Sequence, residues 1–223
     1  VSESILRLFL LPLNAADCEG LGRAGNDLYY SNQWREAIIQ YQLALTCYQD
    51  ADEYRGQSIT LNNMGKIYDG WLQYGEALLH YEQALAIARE IEDQRGEAII
   101  LNNIGVAYHT QGLYGRALEY FGQALVIHRE MGNPICEGST LHNIGAVYRS
   151  QGRYGEALEY YEQALAIGQK ARDLAGEGAT LNSIGVVYHT QGQYREALIY
   201  YAQALAIRRE VEDQIGEATT LHN

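Results

Sequence analysis

Proline, cysteine, positive charge and long apolar runs are all scarce in this chain of 223 residues. Its two prolines, Pro12 and Pro134, leave little to interrupt helices. The cysteines, Cys18, Cys47 and Cys136, are odd in number and form no CxxC pair, so they read as free thiols of a reducing cytosol. Lysine and arginine total 16 against 28 aspartates and glutamates, a formal net charge of −12. That deficit argues against nucleic acid, whose phosphates need a basic face, and against docking on an anionic membrane. The longest apolar run, Ile5 to Leu13, is broken by Arg7 and is too short to span a bilayer. It also lacks the basic leading region of a signal peptide. A cytoplasmic, largely helical protein is expected.

The signatures of catalysis are missing too. There is no phosphate-cradling glycine loop, no nucleophile elbow and no HExxH motif. No cysteine stands in a recognisable pairing with a histidine base. His109, His142 and His189 are spaced so that successive helices could bring them near one another, but no carboxylate supports a metal site. The expectation is a protein that is not an enzyme and has no cofactor and no metal.

What is present is repetition. Leu61-Asn-Asn-Met-Gly65 returns as Leu101-Asn-Asn-Ile-Gly105, Leu141-His-Asn-Ile-Gly145 and Leu181-Asn-Ser-Ile-Gly185, always 40 residues on. A weaker copy, Leu21-Gly-Arg-Ala-Gly25, lies upstream, and Leu221-His-Asn223 begins another, so the chain reads as a piece of something longer. Each unit reads as two amphipathic helices: Leu101, Ile104, Gly105 and Tyr108 make one stripe, and Tyr114, Ala117, Leu118, Phe121, Ala124 and Leu125 make a second. Gln111-Gly112-Leu113 supplies the turn between them. Asp93, Asn133, Asp173 and Asp213 stand where N-caps belong, and Glu97, Glu137, Glu177 and Glu217 favour the positive end of the helix dipole. Gly65, Gly105, Gly145 and Gly185 remove a side chain where the second helix must approach, with Ala77, Ala117, Ala157 and Ala197 as the matching small surface. Tyrosines at fixed spacing, such as Tyr81, Tyr161 and Tyr201, read as packing groups.

The pattern Leu101-x2-Ile104-Gly105-x2-Tyr108, then Ala117-x3-Phe121-x2-Ala124, resembles the tetratricopeptide signature. Its period is longer than the usual ~34 residues, as in kinesin light chains, Pins-type spindle-orientation adaptors and bacterial arrays. The resemblance implies an all-α fold, a right-handed superhelical solenoid of antiparallel helix-turn-helix hairpins. Residues 1–12 flank or cap it. The repeats then run over about 13–52 (degenerate), 53–92, 93–132, 133–172 and 173–212, with a partial copy at 213–223.

In this family the first helices line a concave groove, which implies candidate peptide contacts at Asn62, Asn63, Lys66, Asn102, Asn103, His109, His142, Asn143, Arg149, Asn182 and His189. A carboxamide both donates and accepts, so an asparagine ladder can pair with the backbone of an extended peptide. The other reading is that Asn63, Asn103 and Asn143 bridge neighbouring helices. Lys66, His109, Arg149 and His189 suggest a groove more basic than the acidic exterior and a ligand bearing carboxylates. Scattered solvated charges are the alternative.

Three functions follow. The first is a scaffold that binds a protein or peptide in its groove. The second is a regulatory array within a larger signalling, protease or ATPase protein. The third is a unit that self-associates end to end. If the groove selects acidic ligands, Arg149→Ala weakens an acidic peptide and flattens its salt dependence; unchanged affinity in low salt refutes that selectivity.

Overall fold

The computed structural model describes residues 15–223, and every regular element in that range is a helix. They are α1 Ala15–Tyr30, α2 Trp34–Asp50, α3 Tyr54–Gly70, α4 Tyr74–Glu90, α5 Gln94–Thr110, α6 Tyr114–Glu130, α7 Pro134–Ser150, α8 Tyr154–Ala171, α9 Leu174–Thr190, α10 Tyr194–Glu210 and α11 Gln214–His222. Odd-numbered helices are the first helices of the repeats and even-numbered ones the second. The expected cap over residues 1–12 lies outside the described residues. Two compact units divide the chain, residues 1–107 and 108–223, so that the division falls inside α5.

The caps read from the sequence are formed. Asp93 Oδ1 accepts from the Gly96 N–H at 3.0 Å, Asp173 Oδ1 from Gly176 at 3.0 Å and Asp213 Oδ1 from Gly216 at 2.9 Å, while Asn133 Oδ1 accepts from Cys136 at 3.2 Å. Glu53 does the same for Gly56 at 2.6 Å, a cap that the sequence pattern missed. The glycines just inside these helices, costly to helix propensity, are explained by the caps themselves. A Cβ on Gly96 would stand 2.8 Å from the Asp93 carboxylate. Gly112 closes its turn with φ +74°, as expected, but Leu72 holds the corresponding place in unit 1 at φ +60°, a strained conformation for a leucine.

Within a hairpin the two helices meet at a ring set against a bare backbone. In unit 1 a Cβ on Gly65 would lie 2.6 Å from the Tyr81 ring, and in unit 2 one on Gly185 would lie 2.6 Å from Tyr201. Ala77 and Ala197 on the same second helices are buried, as is Ala157 in the hairpin of Gly145 and Tyr161. Successive hairpins share a core. In unit 1 it joins Ala37 and Tyr41 of α2 to Met64 and Ile67 of α3; in unit 2 it joins Ala157 and Tyr161 of α8 to Ile184 and Val187 of α9. Each such aliphatic side chain contributes about 1.5–3 kcal/mol on burial. A ring pair seals the partly open side of the hairpin: Tyr68 on His80 at 4.9 Å, Tyr148 on Tyr160 at 5.3 Å and Tyr188 on Tyr200 at 5.3 Å.

The joints between repeats carry ion pairs that the sequence reading left out. Arg89 Nε meets Glu97 at 2.7 Å, Arg129 meets Glu137 at 2.8 Å and Arg209 meets Glu217 at 2.7 Å; Gln169 takes the same position opposite Glu177. They are solvent-facing, so each contributes about 0.5 kcal/mol and mainly fixes register.

One expectation is overturned. Cys18 and Cys47 are not free thiols but a disulfide joining α1 to α2, with Cα atoms 5.4 Å apart; Cys136 alone is free. A search for close spacing misses it because the antiparallel hairpin, not the sequence, brings together residues separated by 29 positions. On the chain-entropy account a loop of that size adds about 3–4 kcal/mol to unit 1.

The glycine–ring contact sets a measurable asymmetry. Gly185→Ala is expected to destabilise the chain by about 1–3 kcal/mol. Gly155→Ala, where nothing lies within 4 Å of the added methyl, should be neutral or stabilising by up to ~1 kcal/mol. Urea midpoints at constant m-value decide it.

Candidate functional site

The candidate residues all lie on odd-numbered helices, but the two units use them differently. In unit 1 the asparagines bond to one another across repeats. Asn63 Nδ2 donates to Asn26 Oδ1 at 3.2 Å, an oxygen that also accepts from the Tyr41 hydroxyl at 2.7 Å. Asn103 Nδ2 donates to Asn62 Oδ1 at 2.8 Å. In unit 2 Asn223 Nδ2 donates to Asn182 Oδ1 at 3.1 Å. Asn62 and Asn182 are buried, while Asn102, Asn103 and Asn143 are partly exposed. Bridging bonds are therefore present in the ladder. Each uses one of the two N–H groups of its donor, and the carbonyl and second N–H of a residue such as Asn103 retain bonding capacity.

Lys66 and Asp69 follow on the same face of α3. The Lys66 ammonium sits 4.8 Å over the Tyr29 ring, and burial lowers its pKa. Burial raises the pKa of Asp69, whose Oδ1 is enclosed without a hydrogen-bond partner. Beside Lys66 a cavity of about 320 Å³ opens between α3 and α5, walled by Ile59 and Ile99 and floored by Asn62 and Asn103. Ile59 is 52% exposed and Ile99 39%. The corresponding cleft in unit 2, between α7 and α9, is smaller, about 200 Å³, and has Ser139, Ala179 and Thr180 on its walls.

His109 and His142 are held toward their uncharged forms. His142 takes the place of an asparagine, sets Nδ1 3.1 Å from Thr180 Oγ1 and packs on the Tyr161 ring at 5.1 Å. Burial, with Arg149 nearby, lowers its pKa to about 4. His109, 2.9 Å from Ser150 Oγ, is lowered by the same two causes. His189 is exposed, with its ring 5.3 Å from Tyr194. Lys66 and Arg149 are the lysine and the arginine among the candidates. Three histidines gathered round one metal are not found: no group of three potential ligands exists among the described residues. No described helix is long and apolar enough to cross a membrane.

Sequence reasoning missed Ile59 and Ile99, and it took Tyr161 as a packing group. The signal was a departure from the repeat: Ile59 and Ile99 are large and apolar where the small Ser139 and Ala179 stand later, and Ser183 replaces an asparagine.

Comparison with known proteins matches the chain to the model of the tetratricopeptide repeat over residues 18–90, 73–130 and 136–223. A search of the curated proteins finds no match. Among solved structures, BtubC (BKLC) from P. vanneervenii is similar with a TM-score of 0.75 and 24% identity, over 88% of this chain and 82% of that one. A putative kinesin light chain from Podosopora anserina has a TM-score of 0.69 and 19% identity, over 88% of this chain and 96% of that one. The Rap conjugation gene regulator of the plasmid pLS20, in complex with the Phr* peptide, has a TM-score of 0.77 and 20% identity. The alignment with it covers 90% of this chain but only 55% of the regulator. These likenesses establish the helical-repeat solenoid fold.

His142 gives the site a pH signature. Its folded pKa is depressed, so the unfolded chain binds more protons below the ordinary value of 6.5. Its contribution, about 3 kcal/mol, is complete above pH ~6.5 and is lost as pH falls toward ~4. His142→Asn, the residue at positions 62, 102 and 182, should remove that part of the slope in urea midpoints measured across this range.

Proposed function

Because the chain belongs to the tetratricopeptide-repeat family, we propose that it is a non-catalytic scaffold holding a peptide or protein segment along the faces of its odd-numbered helices. The observation that carries this is the pair Ile59 and Ile99. Both are half-exposed and line one cavity, yet the repeat packs equally well with Ser139 and Ala179 at the same positions. Apolar groups that the core does not need, set beside carboxamides that use only part of their bonding capacity on one another, fit a bound chain. The pLS20 Rap regulator, of like fold, is seen with the Phr* peptide.

Lys66 and Arg149, a lysine and an arginine on these faces in a chain of net charge −12, favour a segment that carries carboxylates. The argument for a reducing compartment is weaker than the sequence made it, since two of the three thiols on which it rested are paired.

The test uses the purified full chain and a displayed library of random peptides. Selected peptides fitted with a benzophenone are expected to cross-link to Ile59, Lys66, Ile99, Ser139 or Ala179, and Ile99→Ser should lower their affinity about tenfold. Cross-links confined to Gln83 and Gln163 on the exposed second-helix surface, or a library that yields no binder, would overturn the proposal.

A further inference from the structure

The joint between α8 and α9 in unit 2 reverses the charge that the other joints carry. Where a second helix ends, the last residue is acidic in four repeats, as Asp50, Glu90, Glu130 and Glu210; here it is Lys170. Two residues on, Asp52, Glu92 and Glu212 give way to Arg172. Both basic side chains are exposed, and neither forms an ion pair among the described residues. In a chain of net charge −12, these neighbouring reversals make a basic spot on an acidic edge.

Beside Lys170 that edge is hollow. A cavity of about 370 Å³ is walled by Gly132, Pro134, Glu137, Ile167, Lys170 and Ala171. The α6–α7 joint leaves it open. Gly132, at φ +62°, stands where Glu92 and Glu212 stand in other repeats, and a Cβ on it would meet nothing within 4 Å. Pro134 and Ile135, both exposed, replace Gln94 and Arg95 of the preceding repeat. Glu137 is already taken by Arg129, 2.8 Å away. Apolar walls with basic residues at one side suit an apolar side chain flanked by carboxylates.

The same unit carries such a group. At the α10–α11 joint Glu210-Val211-Glu212 sets a valine, 37% exposed, between two exposed glutamates that form no ion pair among the described residues. We propose that unit 2 pairs with unit 2 of a second copy along this edge. Val211 of each copy enters the cavity of the other beside Pro134 and Ile167, and Glu210 and Glu212 meet its Lys170 and Arg172. Antiparallel helices put every second-to-first joint at the same end, so both surfaces lie on one edge. A two-fold axis between them lets each copy give one contact and receive one, which closes the pair as a dimer. Elsewhere on the edge acid would face acid, so the charges also fix the register. The candidate peptide contacts take no part: the dimer goes beyond the scaffold reading and does not depend on it.

The test is the size of the full chain in solution, followed by sedimentation equilibrium over a dilution series. A reversible monomer–dimer equilibrium is expected. Lys170→Glu with Arg172→Glu should weaken the dimer about a hundredfold or more, because like charges then face each other. Glu210→Lys with Glu212→Arg should do the same. Each substitution installs a residue that another repeat carries at that position, so urea midpoints should stay near the original value. Mixed, the two double variants are complementary at both contacts and should form the dimers that neither forms alone. Pro134→Gln, with Gln94 and Gln214 as precedents, should weaken the dimer about three- to tenfold by removing an apolar wall. A wild-type chain that stays monomeric at every concentration would overturn the proposal, even if a displayed peptide then cross-links to Lys170 and gives the cavity to a foreign partner. So would a dimer indifferent to the charge reversals, growth past the dimer, or a mixture of the double variants that stays monomeric. Displayed peptides that cross-link to the odd-numbered helices of a monomeric chain would sink this inference and spare the scaffold. A charge-dependent dimer in a chain that selects no peptide would do the reverse.

Discussion

A tyrosine ring lying on a helix that has no side chain at the point of contact governs this structure. Tyr81 on Gly65 and Tyr201 on Gly185 bring the two helices of a hairpin so close that even a methyl group is excluded. The close approach lets alanines such as Ala77 and Ala197 bury completely, and it aims the remaining face of each first helix away from its partner. That face then meets the next hairpin at one edge and solvent at the other. Small residues therefore do more than save space: they decide which side of each first helix is left to meet a ligand.

The joints between repeats are built from the same economy. An Asp at the N-cap, a Gly at the third helical position and an Arg–Glu pair flanking them build the joints at Asp93 and Asp213, and the joints at Asn133 and Asp173 keep most of that set. The carboxylate satisfies a backbone donor that the helix itself cannot, and the glycine leaves it room. The carboxamides bridging Asn103 to Asn62 add a polar rung on the opposite side. Since these devices repeat, the positions that break the repetition stand out: Ile59 and Ile99 in unit 1, and His142, Arg149 and Ser183 in unit 2. Their chemistry, apolar in one unit and cationic in the other, is free to answer to something outside the chain.

Much of this was legible in the residues. The 40-residue interval and its apolar stripes announced paired helices, because amphipathic periodicity and glycine spacing are local properties. The caps at Asp93, Asn133, Asp173 and Asp213 were legible for the same reason, as each acts within three residues of itself. The candidate site was legible only as a set of positions. Whether Asn63 faces a guest or a neighbour depends on the distance between helices of different repeats. The protonation of His142 depends on what buries it, and the Cys18–Cys47 bond on an antiparallel return of the chain.

The sequence by itself determined the helices, their pairing and the positions that line the open face, since those follow from short-range periodicity and from where side chains are absent. Tertiary structure alone decided which of those positions keep charge and bonding capacity to spare. Asn103 spends an N–H on Asn62, burial holds His142 toward its neutral form, and Arg149 forms no ion pair with a carboxylate among the described residues. The physical reason is that desolvation and hydrogen bonding are set by neighbours across space, and the same asparagine, histidine or arginine in the same stripe means different things according to who stands opposite.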